Sequence, residues 1–203
     1  MNIFTEEMYK GISDLPILLV AMGFSIFLRK FEEKKVWSQF FMLLAEAAFI
    51  GAAIHMLSLE GGYKKVAWAV LYVLLYEVVR NLSLALSGYI LKEEVQYPKL
   101  MWWVQVLMFI ASFVLLLKEI KYDIYVFVGF AILNLAWLIY LAISGSKQNA
   151  NIKITGKLWG FFGLAIVAAG LQTLKEVVPY GVVWGHLVIL IAMCVLFSIS
   201  IDD

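Results

Sequence analysis

Two histidines occur in this chain, His55 and His186, and each lies inside a long apolar run. Imidazole titrates near neutral pH and is the commonest metal-ligating side chain. A histidine in such surroundings therefore points to metal binding or proton handling. Two further polar residues fall at the ends of runs: Asp14 opens the first and Gln172 closes the sixth. The carboxylate can ligate a metal, stand behind a ligand or cap a helix, and the amide can position a substrate or an oxyanion or bridge two helices. A second set lies deeper in the runs: Glu46, Glu77, Arg80, Asn81 and Asn134. Glu77 and Asn81 are four apart and share a helix face. Two carboxylates with one guanidinium suit a charge lock between helices, for instance Glu46 with Arg80, or a proton relay lining a polar cavity. Glu46 and His55 stand about half a turn apart round a helix and face different ways.

The elements that must hold these residues follow from composition. The chain has 203 residues, 64% of them hydrophobic and 15% charged, with a mean hydropathy of +0.90. A soluble domain carries about 25% charged residues, and a helix needs about 20 mainly apolar residues to cross a bilayer. The expected fold is all-α: a polytopic membrane protein whose residues 1–203 form one seven-helix transmembrane bundle. The seven apolar runs are Leu15–Leu28, Val36–Leu57, Val66–Leu91, Leu100–Leu117, Ile124–Ser144, Leu158–Leu174 and Gly181–Ile201. The first is short and is expected to begin a little before Leu15. Ser13-Asp14 can cap its helix, with Pro16 tolerated in the first turn and Pro179 playing a similar part before the seventh run. The N-terminal MNIFTEEMYKGISD lacks the basic region and cleavage site of a signal peptide, which predicts that the first run is retained. A net charge of +1 gives no reason to invoke nucleic acid, and the sole cysteine, Cys194, excludes a disulfide framework or a thiolate zinc site.

Lysine and arginine set the expected orientation. Connectors after runs one, three and five hold nine: Arg29, Lys30, Lys34, Lys35, Lys92, Lys99, Lys147, Lys153 and Lys157. The opposite side holds six: Lys10, Lys64, Lys65, Lys118, Lys121 and Lys175. Nine against six predicts the N-terminus outside and the C-terminus inside. Threading the runs brings His55, His186, Asp14 and Gln172 to one face, both imidazoles within roughly 5–9 Å of the interface. Ala47, Ala48, Gly51 and Ala52 make a small-residue stripe on the His55 side of its helix, which turns that histidine toward a neighbouring helix. Ala165, Ala168, Ala169 and Gly170 do the same before Gln172. The aromatic residues, such as Trp102, Trp103, Tyr122, Tyr125 and Trp159, read as interface belts and lipid-facing bulk.

Several short motifs spread over the chain carry a resemblance: Ser13-Asp14-Leu15, Gly51-Ala52-Ala53-Ile54-His55, Gly163 through Gly170 to Gln172, and Gly185-His186-Leu187. With seven spans and histidines late in helix two and early in helix seven, the chain resembles a bacterial family of seven-helix proteins related to the CREST superfamily of alkaline ceramidases and progestin and adipoQ receptors. That resemblance implies a bacterial cytoplasmic membrane. It also implies a zinc-dependent hydrolase acting on a lipid amide or ester, in which metal-activated water attacks the carbonyl. His55 then matches the helix-two ligand and His186 one of the helix-seven pair, with Asp14 a third, oxygen ligand or a carboxylate behind the histidines. Gln172 would position substrate or oxyanion. Leu190 stands where the family has its second helix-seven histidine, Gly51 where it has a serine, and helix three lacks the family's aspartate. Two other functions are open. One is a small-molecule transporter, suggested by the likeness of Gly51-Ala52-Ala53-Ile54-His55-Met56-Leu57 to Ala168-Ala169-Gly170-Leu171-Gln172-Thr173-Leu174 as a parallel repeat. The other is a non-catalytic protein of the same fold that binds or senses a lipid.

Overall fold

The computed structural model describes residues 6–57, 59–92, 95–119, 123–148, 156–173 and 180–202. These form seven α-helices: α1 (Glu6–Leu28), α2 (Lys35–Met56), α3 (Gly61–Leu91), α4 (Lys99–Leu117), α5 (Asp123–Gln148), α6 (Gly156–Thr173) and α7 (Gly181–Asp202). A single 3-10 turn, Glu32–Lys34, joins α1 to α2. Every helix but α6 is long and apolar enough to cross a membrane, so the chain is a helical integral membrane protein.

Short connectors and mutual packing make neighbouring helices antiparallel. The start of α1, the end of α2 and the start of α7 therefore share one end of the bundle, called here the histidine face. The opposite end, called the lysine face, carries Arg29, Lys30, Lys34, Lys35, Lys92 and Lys99. α1 against α2 is the most extensive contact, followed by α6 against α7 and α2 against α3. The helices run in the order α6, α7, α1, α2, α3, with α4 and α5 packed on α3, and α5 barely touches α6. What α5 and α6 share is one core cluster, to which they contribute Leu138 and Ala142, and Leu158, Phe161 and Phe162.

Two devices fix the α1–α2 pair. Toward the lysine face Ser25 Oγ donates to Ser38 O at 2.8 Å and Ser38 Oγ returns a bond to Ser25 O at 3.1 Å. Interhelical bonds of this kind contribute about 0.6 kcal/mol on average in membrane proteins. Toward the histidine face the expected small stripe is realised: Ala47, Ala48, Gly51 and Ala52 are all buried. A Cβ on Gly11 would lie 2.5 Å from Met56 Cγ, 3.1 Å from Ala52 O and 3.2 Å from His55 Cβ, so any larger residue would have to displace α2 side chains.

The start of α1 corrects the sequence expectation. The helix begins at Glu6 and runs through Pro16, so Asp14 is an interior residue and caps nothing. Bonding to neighbours on α2 and α7 holds the extra turns, and a transmembrane helix tolerates an interior proline when neighbours pack around it. Pro179, expected to open α7, lies outside the described residues.

Candidate functional site

Glu7, Lys10 and Asp14 follow one another at helical spacing along α1 and meet α2 and α7 at the histidine face. Asp14 is only 6% exposed, and Gly51 makes room for it: a Cβ there would sit 2.9 Å from Asp14 Oδ2. From α7, His186 Nδ1 lies 2.8 Å from Ser13 Oγ and 3.3 Å from Asp14 Oδ1. Ser13 Oγ already donates to Lys10 O at 2.7 Å, so its oxygen must accept from the ring. That assigns the His186 proton to Nδ1, shared between Ser13 and Asp14, and leaves the lone pair on Nε2. From α2, His55 Nδ1 lies 2.7 Å from Glu7 Oε2, and Glu7 Oε1 accepts from Lys10 Nζ at 2.6 Å.

The histidines and Asp14, expected on one face, do assemble there. Gln172 belongs to α6, but its side chain lies outside the described residues. Glu7, Lys10 and Ser13 join the cluster without having been singled out as site residues by sequence. The signal for the first two was their spacing of seven and four from Asp14, hidden by placing the start of α1 too late.

This arrangement limits the chemistry. A serine–histidine–aspartate relay needs the hydroxyl on one ring nitrogen and the carboxylate on the other, whereas Ser13 and Asp14 share Nδ1. A catalytic zinc needs three protein ligands, and no group of three His, Cys, Asp or Glu is placed to hold a metal ion among the described residues. The described donors therefore fall one short of a catalytic zinc site. Each imidazole does hand Nδ1 to a carboxylate, as metal-bound histidines do, but two uncommitted nitrogens are one too few.

The second polar set divides in three. Arg80 Nη1 donates to Glu77 Oε2 at 2.9 Å, and Gln105 Nε2 from α4 donates to Glu77 Oε1 at 3.0 Å. Asn81 donates to the Glu77 backbone carbonyl at 2.9 Å, which keeps it within its own helix. Asn134, fully buried on α5, accepts from Ser83 Oγ at 3.0 Å and from Tyr97 Oη at 2.8 Å and donates to Phe130 O. Burial pushes the Tyr97 phenol up to about 12. Glu46 stands apart. It is exposed and lines an apolar groove with Leu18, Met22, Met42, Phe49 and Val70. The expected Glu46–Arg80 lock is therefore not formed, because Arg80 finds its carboxylate one turn away on its own helix.

Comparison with protein-family models, curated proteins and solved structures yields no significant match to this chain. Function must be argued from the site alone.

Proposed function

We propose that the protein is a proton-coupled carrier of a small molecule across the membrane, with Asp14 and His186 as its proton-binding pair. One observation supports this above all: a buried carboxylate and an imidazole, 3.3 Å apart, join two apolar helices inside the bundle. Ionisable pairs in such places are the usual components of proton pathways. With Nδ1 protonated, His186 is neutral and takes its next proton at Nε2. The resulting imidazolium faces the Asp14 carboxylate and turns a 3.3 Å contact into an ion pair, drawing α7 toward α1. Losing that proton relaxes the same contact. Glu7 and His55, bonded at the outer edge of the cluster, supply titratable groups between this pair and water. Glu77, Arg80 and Gln105 supply polar groups nearer the other face.

On this reading α6, 18 residues and about 27 Å long, completes seven spans. The lysine face is cytoplasmic, the N-terminus is outside and the membrane is a bacterial inner membrane. The test uses liposomes loaded with a pH-sensitive dye, an imposed pH gradient and a panel of amino acids, sugars and alkylammonium ions. Wild type is expected to show solute-dependent proton entry that Asp14→Asn and His186→Gln both lose while keeping their thermal stability. Equal proton entry in either variant would sink the proposal.

The zinc-dependent hydrolysis of a lipid amide or ester is a second reading, favoured by the carboxylate behind each imidazole. It predicts one zinc per chain in protein purified without a histidine tag, lost in His55→Ala and His186→Ala. Zinc far below one per chain that does not rise on reconstitution leaves it without support.

A further inference from the structure

The lysine-face end of the bundle contains a cavity of about 440 Å³ lined by Arg80, Gln96, Tyr97, Lys99, Trp102 and Trp103. Lys92 takes a left-handed backbone (φ 56°) and ends α3 with a bond from its N–H to Gly88 O. Tyr97 reaches inward to Asn134 on α5, and it lines the space beside Arg80 together with Val95 and Gln96.

Three observations give the space a sign. Arg80 lines the cavity and engages Glu77 through Nη1, and a guanidinium carries five N–H donors in all. Lys99 is exposed at the cavity and forms no ion pair among the described residues. It is also the first residue of α4, whose opening N–H groups and dipole add further positive character. Among the described residues at the cavity, Arg80, Lys99 and Glu77 sum to +1, the complement of a singly charged phosphodiester. Trp102 and Trp103 flank the opening with rings 4.8 Å apart and about half exposed, which places the mouth at headgroup depth.

We propose that this cavity binds the phosphodiester headgroup of an anionic membrane lipid, held by the Arg80 guanidinium and Lys99 Nζ with its acyl chains along Trp102 and Trp103. The site lies at the opposite face from Asp14 and His186 and shares only the Arg80–Glu77 pair with the carrier proposal. A free phosphate offers the same oxygens but no chains to lie on the tryptophans, and a zwitterionic lipid brings a cation of its own toward Lys99.

The experiment titrates delipidated protein in detergent with phosphatidylglycerol, phosphatidylcholine or inorganic phosphate and follows the melting temperature. Phosphatidylglycerol alone is expected to raise the melting temperature of wild type to a plateau. Lys99→Gln removes one cation worth about 1 kcal/mol at a membrane surface and is expected to weaken the apparent affinity about fivefold. Arg80→Gln is expected to abolish the response. Lys99 is exposed and forms no ion pair among the described residues, so its variant is expected to fold and decides the matter even if Arg80→Gln does not. No shift with phosphatidylglycerol, an equal shift with phosphatidylcholine or inorganic phosphate, or an unchanged titration in Lys99→Gln each overturns the proposal.

Discussion

Gly51→Ala probes the Asp14–His186 contact with a single methyl group. An added Cβ would sit 2.9 Å from Asp14 Oδ2 and 3.4 Å from its Cγ, inside ordinary contact distance for the first atom. Asp14 must withdraw, and its Oδ1 is already 3.3 Å from His186 Nδ1, so a shift of a few tenths of an ångström parts the pair. Overpacking of this kind costs about 1–3 kcal/mol. In an open helical position the same substitution stabilises by up to about 1 kcal/mol, so the sign of the effect is itself diagnostic. The assay is equilibrium unfolding in mixed micelles followed by helical circular dichroism, run as a double-mutant cycle with Asp14→Ala. Gly51→Ala is expected to destabilise wild type, become neutral or stabilising once Asp14 is truncated, and show a coupling of at least about 1 kcal/mol. Gly23→Ala, where a Cβ meets nothing within 4 Å, serves as the control and is expected to be neutral or mildly stabilising. Equal destabilisation by Gly51→Ala with and without the Asp14 carboxylate would refute the reasoning.

Asn134→Ala strips Tyr97 of its acceptor and is expected to cost about 1–2 kcal/mol in the same unfolding assay; a loss near zero would show that the connector is not anchored there. The Tyr97 phenol, raised by burial from 10.0 to about 12, holds its proton more tightly folded than unfolded. Its contribution is intact below pH 10 and falls as pH rises through 12, and a stability profile of Tyr97→Phe with an unchanged slope in that window contradicts the assignment. Glu46→Leu replaces an exposed carboxylate midway along α2 and is expected to favour membrane insertion of that helix by up to about 3 kcal/mol. The inserted fraction of α2 in a host protein reads this directly, and no increase would mean that Glu46 does not face lipid.

The apolar runs located the helices well wherever hydropathy changes abruptly. α2 and α4 begin within one residue of the expected Val36 and Leu100, and α7 begins at Gly181 as expected. α1 was misjudged because Ser13, Asp14 and Pro16 together imitate a helix start, while the turns before them are polar and gain their stability from α2 and α7. The gathering of His55, His186 and Asp14 was legible from threading, since direction and rise per residue fix depth. Which nitrogen each carboxylate takes was not legible, because it depends on helix rotation. Arg80 shows a similar limit: a carboxylate on another helix and one a turn away look equally available until packing chooses. Gln105 was the overlooked clue, the one amide in the apolar α4 run and the partner of Glu77. Tyr97 offered no signal, since its inward path depends on the left-handed turn at Lys92.

The slight contact between α5 and α6 matters for how the molecule meets its surroundings. Parting two helices that share little buried surface disturbs the core least, so this seam is the mechanically weakest line around the bundle. Every other neighbouring pair is pinned by hydrogen bonds, stacked rings or extensive packing, as at Phe24 and Phe197 with centroids 3.9 Å apart. Among the described residues this seam is where the bilayer's acyl chains would meet least resistance from helix packing.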